Sequence, residues 1–295
     1  MSPLVFGFAA AGLWALSAPI LNAGIARLPG EGRVPALAAG LLAALCSGTL
    51  GLLPAALPGG VEARVSFWVV LAGLFTFPIA TGLYYLAAHA FGTRAELASQ
   101  FAKVKPLLSI LFALLLAGEA LDASAWLSAA LIMAGTLVIV YGARRGHLSW
   151  RALILGLLTA LAWALGELFV KIGFDAATSI DSSFVALASS FLLFAVVSTP
   201  YLVRQRAVLG RLTYLPFFAL HGVLSFGAAY TAFFHSIAVI GLADTILQTA
   251  FWPFLALLVT QVWNRLRGEP GHTPLIVWVA AGLLAMGSAV RVLTF

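Results

Sequence analysis

The sequence predicts an all-α polytopic membrane protein of ten transmembrane helices, on three observations. First, 62% of its 295 residues are hydrophobic, 9% are charged and the mean hydropathy is +1.07, a composition typical of integral membrane proteins. Second, the chain divides into about ten apolar runs, each near the ~20 residues that a spanning helix needs. Third, these runs are long and continuous, whereas membrane β-strands are shorter and alternate apolar with polar residues.

The predicted helices follow one another with short connections that leave no room for a soluble domain. Basic residues in short loops mark the cytoplasmic side of a membrane. Eleven arginines lie at one set of predicted helix ends, whereas Arg64, Lys171 and Arg291 lie at the opposite ends. Both termini are therefore expected outside. In chain order the predicted helices are 3–27, 34–54, 65–90, 94–117, 123–143, 150–173, 182–203, 212–238, 242–264 and 273–294.

The two halves of the chain resemble each other, which predicts two repeats of five helices, 1–146 and 147–295. The aligned segments match Trp14 with Trp163 and Gly135 with Gly287. Because five is an odd number, the second repeat enters the membrane from the opposite side. Inverted repeats are common in secondary transporters, whose binding site lies near the membrane midplane between them. The alternative is chance similarity among helices rich in Ala, Leu and Gly. Three segments align in the same order, 7–25 with 156–174, 95–106 with 243–253, and 126–140 with 278–292.

Three motifs add a family resemblance. They are "LWAL" in the first predicted helix, "KPLLSILFALLLAGEAL" closing the fourth and "AALIMAGTLVI" in the fifth. With ten helices in two halves, the chain resembles the EamA-type branch of the drug/metabolite transporter superfamily over essentially its whole length. The resemblance implies a carrier of small metabolites in the bacterial inner membrane, often an exporter of amino acids or their relatives. One departure is that Glu269 follows Pro253 at three residues more than Glu119 follows Pro106.

The fourth predicted helix carries polar residues where its middle should be apolar. A charge at the bilayer centre costs at least about 2.5–3.5 kcal/mol, so such residues usually face a cavity or the bundle interior. At 100° per residue, Glu96, Gln100 and Lys103 fall on one stripe. We predict that this stripe lines a cavity in which Lys103 binds an acidic group of the substrate; a structural lysine paired with a helix neighbour is the alternative. Lys105 points elsewhere, either snorkelling or pairing with Glu167.

The ninth predicted helix carries a matching stripe, in which aromatic residues replace the lysine. Asp244 and Gln248 are followed on the same stripe by Phe251 and Trp252. The predicted cavity is therefore basic on one wall and apolar on the other. The residues predicted to bind the substrate are Lys103, Gln100, Gln248, Trp252, Phe251, Trp163, Tyr85 and Trp14.

Acidic residues and histidines near the predicted helix ends are candidates for gating or proton coupling. The expected topology puts Glu96 at the cytoplasmic mouth and Asp244 at the outer mouth. His89 and His235 lie close to these acids in the sequence. Histidine titrates near neutrality and can sense or relay protons; histidines satisfied at the membrane interface are the alternative.

Glu167 is a further gating or proton-coupling candidate inside the membrane. An ion pair with Lys171, four residues on in the same helix, would account for it without a functional role. His221 lies in the middle of the eighth predicted helix as another titratable group.

Two prolines interrupt the polar stripes. Pro106 and Pro253 are predicted to lie mid-helix, where each removes a backbone hydrogen bond. They either free a carbonyl toward the cavity or simply bend the helices for packing.

Together these features predict a secondary transporter that moves an amino acid or related carboxylate by alternating access, in the direction of export. Phosphorylated or other organic anions are the alternative cargo, and a passive facilitator or channel is the alternative mode. The expected partners are the substrate, the lipid bilayer and protons, with the oligomeric state open and a monomer allowed. No H-E-x-x-H, G-x-S-x-G or nucleotide-binding motif occurs, so no enzyme activity, metal or cofactor is expected, and no basic run suggests nucleic-acid binding.

Overall fold

The computed structural model describes residues 4–56, 66–90, 104–142, 150–268 and 273–294. Within these ranges all regular structure is helical. Eight helices are long and apolar enough to cross a membrane, and two shorter apolar helices accompany them among the described residues. The prediction of an all-helical, multi-pass membrane protein is confirmed at this level. The count of ten spans and the inverted repeat remain predictions.

We number the helices in chain order and give contiguous segments one number. α1 spans Leu4–Ile25, α2 Arg33–Ala56, α4 Lys105–Leu115, α5 Ala123–Gly142, α6 Trp150–Gly173, α7 Ser179–Arg204 and α10 Leu275–Thr294. α3 consists of Phe67–Leu74, a π-helical segment Phe75–Thr81 and Gly82–Ala90. α8 consists of Leu215–His221, a π-helical segment Gly222–Ala229 and Tyr230–Ile240, and α9 of Leu242–Thr249 and Trp252–Leu266. A short 3-10 turn, Arg206–Val208, lies between α7 and α8.

Capping residues and glycines set several helix ends. Ser66 caps α3 by accepting the Val69 N–H at 3.2 Å, and Asp122 accepts the Ala125 N–H at the start of α5 at 2.8 Å. Side-chain oxygens of this kind satisfy N–H groups that lack a partner within the helix. Gly241, with a φ of +94°, separates α8 from α9. Because glycine tolerates positive φ, the chain reverses there in a single residue and brings the start of α9 beside the end of α8.

α5 packs along α10 through a reciprocal pair of glycines. A Cβ added at Gly135 would lie 2.8 Å from the Ala280 carbonyl oxygen, and one added at Gly287 would lie 2.8 Å from the Ser128 carbonyl oxygen. In the aligned segments Gly135 matches Gly287, and Ser128 matches Ala280. A contact repeated between matched residues is what a two-fold axis between the helices produces. It supports the predicted repeat at this interface.

A second matched pair of close contacts interlocks the two halves of the chain. Gly73 of α3 lies against the carbonyl oxygen of Ala186 in α7, and Gly222 of α8 lies against the carbonyl oxygen of Ala44 in α2. Each glycine lies at or just before a π-helical segment. The third helix of each half therefore packs on the second helix of the other half. Neither half forms its packing alone.

We expect Gly73→Ala to lower the melting temperature of the detergent-solubilised protein. The new methyl group would clash with the Ala186 carbonyl oxygen, and relieving such overpacking costs about 1–3 kcal/mol. The matched control is Gly12→Ala in α1, where nothing lies within 4 Å of the new atom. Alanine in an open helical position is neutral or stabilising. Equal melting temperatures for both variants would contradict the close α3–α7 contact.

Candidate functional site

A cavity of about 50 Å³ lies between the two halves, near the middle of the helices that line it. Trp14 and Tyr84 of the first half and Trp163, Tyr230 and Trp252 of the second form much of its wall. A water molecule needs about 10–15 Å³ of such space, so the cavity holds a few waters or one small chemical group. We refer to it as the central cavity.

A buried ion pair borders the central cavity. Lys105, in the first turn of α4, extends its Nζ to 2.5 Å from Glu167 Oε1, and Ser109, one turn further along α4, donates to Glu167 Oε2 at 2.5 Å. The side chain of Glu167 is 1% exposed and that of Lys105 is 11% exposed. Both carboxylate oxygens thus have a partner. A satisfied buried pair can persist in the membrane interior, whereas breaking it leaves an uncompensated charge.

Aromatic rings surround the ammonium group of Lys105. Its Nζ lies 5.1 Å from the centroid of Phe233, 5.8 Å from that of Trp14 and 5.9 Å from that of Trp163. Rings within about 6 Å stabilise a cation through their negative faces. The cavity therefore combines one charged pair with a largely apolar aromatic wall.

The π-helical segment of α3 fixes one of these rings. The Trp163 Nε1–H donates to the Thr76 carbonyl oxygen at 3.2 Å, and the Thr81 hydroxyl donates to the same oxygen at 3.0 Å. Pro78, within the segment, has no N–H for a regular helical bond. Gly166 allows α6 to approach, because a Cβ there would clash with the Thr76 hydroxyl. π-Helical turns of this kind are frequent at functional sites.

At one end of the bundle, Glu119 caps a helix that lies far away in the sequence. Its Oε1 accepts the Leu242 N–H at 2.9 Å and its Oε2 accepts the Ala243 N–H at 2.8 Å, at the start of α9. Lys171, at the end of α6, lies 2.8 Å from Oε1. Burial raises the pKa of Glu119, but the hydrogen bonds from Lys171, Ala243 and Leu242 outweigh it and hold the pKa below its usual value. Glu119 is therefore ionised at neutral pH, and it stabilises the positive end of the α9 dipole.

Arg291, near the end of α10, continues the same set of contacts. Its guanidinium lies 2.7 Å from Asp244 Oδ1 and 2.8 Å from Asp122 Oδ2, and it donates to the Ser124 hydroxyl at 2.8 Å. The Arg291 side chain is 8% exposed. We call Glu119, Asp122, Lys171, Asp244 and Arg291 the end network. It ties together the α4–α5 loop, α6, α9 and α10 at this end of the bundle.

Gln248 lies on α9 between the end network and the central cavity. It is completely buried, and within the described part of the chain neither its amide oxygen nor its amide nitrogen has a hydrogen-bond partner. A Cβ added at Gly7 of α1 would lie 3.0 Å from its Oε1. An unmet buried polar group costs about 1–3 kcal/mol. Asp244, Gln248 and Trp252 thus follow one another along α9 from the end network to the cavity, and the unsatisfied amide of Gln248 lies between the other two.

Several residues singled out in the sequence border the central cavity. Trp14, Trp163 and Trp252 line it, as do Pro106 and Pro253. Each proline lies in the first turn of a helical segment, where its missing N–H costs nothing. α9 is interrupted at residues 250 and 251, just before its proline.

Two aromatic residues that were predicted to line the cavity, Tyr85 and Phe251, lie elsewhere. Tyr85 does not appear among the described residues lining the central cavity; its ring packs 5.2 Å from Phe218, and Tyr84 faces the cavity instead. The π-helical segment that precedes both residues changes the turn of α3, so the face expected from a regular helix is rotated. Phe251 packs against Phe8, with ring centroids 5.3 Å apart.

Some residues of the predicted site lie outside the ranges that the structure describes. Glu96, Gln100 and Lys103 lie outside the described residues, and His89 belongs to the backbone of α3 without a described side chain. Their predicted roles in binding and gating stay predictions.

The expected ion pair between Glu167 and Lys171 is wrong. Glu167 pairs with Lys105, one of the two alternatives for that lysine, and Lys171 pairs with Glu119. The four-residue spacing considers only partners within α6. Glu167 lies near the central cavity and meets α4, whereas Lys171 lies at the end of α6 and reaches Glu119 in the α4–α5 loop.

Asp244 and His235 do not form a common acid–histidine contact. Asp244 binds Arg291. His235 Nδ1 lies 2.6 Å from the Ser179 hydroxyl, and its ring packs on Phe6 with centroids 4.3 Å apart. His235 also borders a separate cavity of about 550 Å³ near the ends of α2 and α8. Proximity in the sequence was a poor guide here, because Gly241 turns the two helices onto different neighbours.

Sequence reasoning missed Ser109, Phe233 and the joint role of Arg291 with Asp122. Ser109 and Phe233 carry no signal beyond helical spacing. Glu119 had one available signal, because a Gly-Glu pair recurs in the second half as Gly268–Glu269. Its contact with the start of α9 follows only from the fold.

Comparison with known proteins identifies a similar fold. No protein-family profile and no curated protein matches the sequence. Among solved structures, the chain is similar to a protein described only as "Crystal structure of protein", with a TM-score of 0.68 and 19% sequence identity over 99% of this chain and 97% of the other. At this identity the likeness shows that the chain has the fold of that protein.

Proposed function

We propose that the chain is a secondary transporter that carries a small metabolite across a membrane by alternating access. The observation that carries the proposal is the central cavity, which is lined by both halves of an apolar helical bundle and bordered by a buried charged pair, with the end network at one end of the same bundle. Binding sites of transporters built from repeats lie at this position. The matched glycine contacts of α5 with α10, and of α3 and α8 with their partners, support the repeat.

The proposed cargo is an amino acid or related carboxylate. Lys105 lines the cavity and Glu167 is its ion-pair partner, so a substrate carboxylate can bind Lys105 without adding net charge when Glu167 takes up a proton or meets a substrate ammonium. A phosphate would bring about −1.5 to −2 charges to a single described lysine. Charge uncompensated in the membrane is costly, and this favours carboxylates over phosphorylated metabolites. The aromatic wall suits the apolar part of the cargo.

The end network supports a state closed at one end. In the proposal this end faces outward from the bacterial inner membrane, with both termini on that side, because the arginine-rich helix ends lie at the opposite end and basic residues favour the cytoplasmic side. Opening would part Asp244 from Arg291 and hydrate Gln248, so that the line from Asp244 to Trp252 becomes a path into the cavity. Export then begins with the cavity open at the other end. The proposed proton-coupling group is Glu167, since it loses its partner when Lys105 binds cargo.

Counterflow in proteoliposomes tests the proposal. Vesicles loaded with an unlabelled amino acid, organic acid or sugar phosphate are given the same labelled compound outside, beside protein-free vesicles and vesicles carrying Lys105→Met. A carrier accumulates label transiently against its gradient, and we expect this for a carboxylate, with loss in the Lys105 variant. Simple equilibration without overshoot would indicate a facilitator or channel. Absence of uptake of every compound by folded protein would overturn the proposed cargo.

A further inference from the structure

The central cavity lies mainly along the contact between α1 and α8. α1 packs along the π-helical segment of α8, and α6 packs along the π-helical segment of α3. We call these two helix contacts the α1–α8 seam and the α6–α3 seam. Among the described lining residues, α1 and α8 contribute four each, whereas α6 contributes Trp163 alone and α3 contributes only residues at or beyond the end of its π-helical segment.

The two seams are counterparts in the predicted repeat. Trp14 matches Trp163, and Gly73 matches Gly222 at the same spacing. At this spacing the cavity residues Ser17, Ala18, Leu21, Ser225 and Phe226 match Gly166, Glu167, Val170, Thr76 and Phe77. Each of these five counterparts is buried, and none of them lines the central cavity. The cavity therefore lies in one seam and is missing from the matched one.

Close packing and a hydrogen bond hold the α6–α3 seam together. Gly166 lies against the Thr76 hydroxyl, and a Cβ added at Gly173 would lie 2.6 Å from Trp68 Cβ. The Trp163 Nε1–H donates to the Thr76 carbonyl oxygen at 3.2 Å. Separating α6 from α3 would leave this buried N–H without its partner, which is costly.

The α1–α8 seam lacks both features at the matched positions. Ser17 occupies the position of Gly166, so α1 carries a side chain where α6 carries none. Within the described part of the chain, no hydrogen bond joins Trp14 to Ser225. The Trp14 ring instead packs on the Tyr230 ring, with centroids 5.1 Å apart. Moving α1 away from α8 therefore breaks no bond equivalent to the one that holds α6.

We propose that the central cavity opens by displacement of α1 from α8 while α6 stays on α3, so that only one of the two matched seams moves. This inference rests on the proposed function. α1 also carries Gly7, which lies against the buried amide of Gln248. The same displacement thus uncovers the amide between the end network and the cavity. Helices that slide or swing between two packed arrangements are a common way to open a site.

Cysteines at matched positions test the motion without an assay of transport. Ser225→Cys and Thr76→Cys are introduced singly into Cys46→Ala protein, and their rates of reaction with a water-soluble maleimide are compared in detergent. Both native side chains are buried, so either thiol reacts only after its seam widens. We expect the Ser225 variant to react at least about tenfold faster. Equal rates, or a faster Thr76 variant, would overturn the inference.

Trp163→Phe tests whether the hydrogen bond is what holds the α6–α3 seam. The substitution keeps an aromatic ring and removes the N–H that Thr76 accepts. Added to the Thr76→Cys protein, it should raise the reaction rate about two- to tenfold, as the loss of one hydrogen bond implies. Added to the Ser225→Cys protein, it should leave the rate unchanged. An unchanged Thr76 rate would overturn the assignment of α6 as the held helix.

A covalent link across each seam connects the motion to transport. Ile20 and Leu224 in the α1–α8 seam match Phe169 and Phe75 in the α6–α3 seam, whose rings lie 5.5 Å apart. Cysteine pairs at the two sets, joined by a short bifunctional thiol reagent, are compared in counterflow. We expect the α1–α8 link to abolish exchange and the α6–α3 link to preserve it. Survival of exchange with the α1–α8 link, or equal loss with both, would overturn the inference. Unequal labelling in a protein that exchanges no compound would overturn the carrier proposal and leave the moving seam intact.

Discussion

Lys105→Met should lower the thermal stability strongly and abolish exchange of the cargo. The substitution leaves Glu167 buried against Ser109 with its charge uncompensated, and breaking a buried pair in this way typically costs about 3–5 kcal/mol. If Glu167 takes up a proton in this variant, its charge is removed, but only part of the lost stability returns. The measurements are the melting temperature of the detergent-solubilised protein and counterflow in proteoliposomes.

The double variant Lys105→Met/Glu167→Gln distinguishes stability from function. Both charges are then absent, and Ser109 can still hydrogen-bond the Gln side chain, so most of the lost stability should return. Exchange should not return, because the group that binds the carboxylate is missing. A single Lys105 variant as stable as the wild type would contradict the buried pair, and exchange by the double variant would show that the pair is only structural.

The second large effect is expected at the end network. Glu119→Ala removes the acceptor of two α9 N–H groups and the partner of Lys171 at once. The start of α9 then loses its direct hydrogen bonds to the α4–α5 loop and is held to it only through Arg291, so this end should open more often. We expect Gln248→Cys to react about tenfold faster with a membrane-impermeant thiol reagent in this background. Each 1.4 kcal/mol by which the closed state is destabilised relative to the open state raises the open fraction about tenfold.

The labelling experiment has simple controls in this chain. Cys46 is the single native cysteine, so Cys46→Ala provides a background without other thiols. Glu31→Ala removes an exposed glutamate from the α1–α2 loop and should leave the rate unchanged. Equal labelling with and without Glu119 would mean that the end network does not hold the closed state.

The sequence predicted the helices well because a long apolar run inside a membrane must satisfy its backbone hydrogen bonds internally, and an α-helix does so. Lys105, Glu167 and the three tryptophans that line or border the cavity were also marked in the sequence, the charged ones because charge inside an apolar run is costly wherever it occurs, although the substrate carboxylate was assigned to Lys103 and not to Lys105. The ion-pair partners of the charged residues were harder to predict. Arg291 and Asp122 are separated by 169 positions, and no local spacing rule joins them.

Two features of α3 and α8 escaped prediction for a different reason. The π-helical segments Phe75–Thr81 and Gly222–Ala229 depart from the rotation of about 100° per residue of a regular α-helix. A residue beyond such a segment faces a direction that the regular helix does not give, which is why Tyr84 rather than Tyr85 borders the cavity.

The reciprocal glycine contact between α5 and α10 has a consequence for how such a chain can be assembled. Gly135 meets Ala280 as Gly287 meets Ser128, so each half presents the same kind of surface and receives the same kind in return. An isologous surface of this type closes on itself and leaves nothing exposed for a third copy. Two separate five-helix chains with this surface would pair as a dimer through it, and joining them end to end changes the connectivity without requiring a new interface.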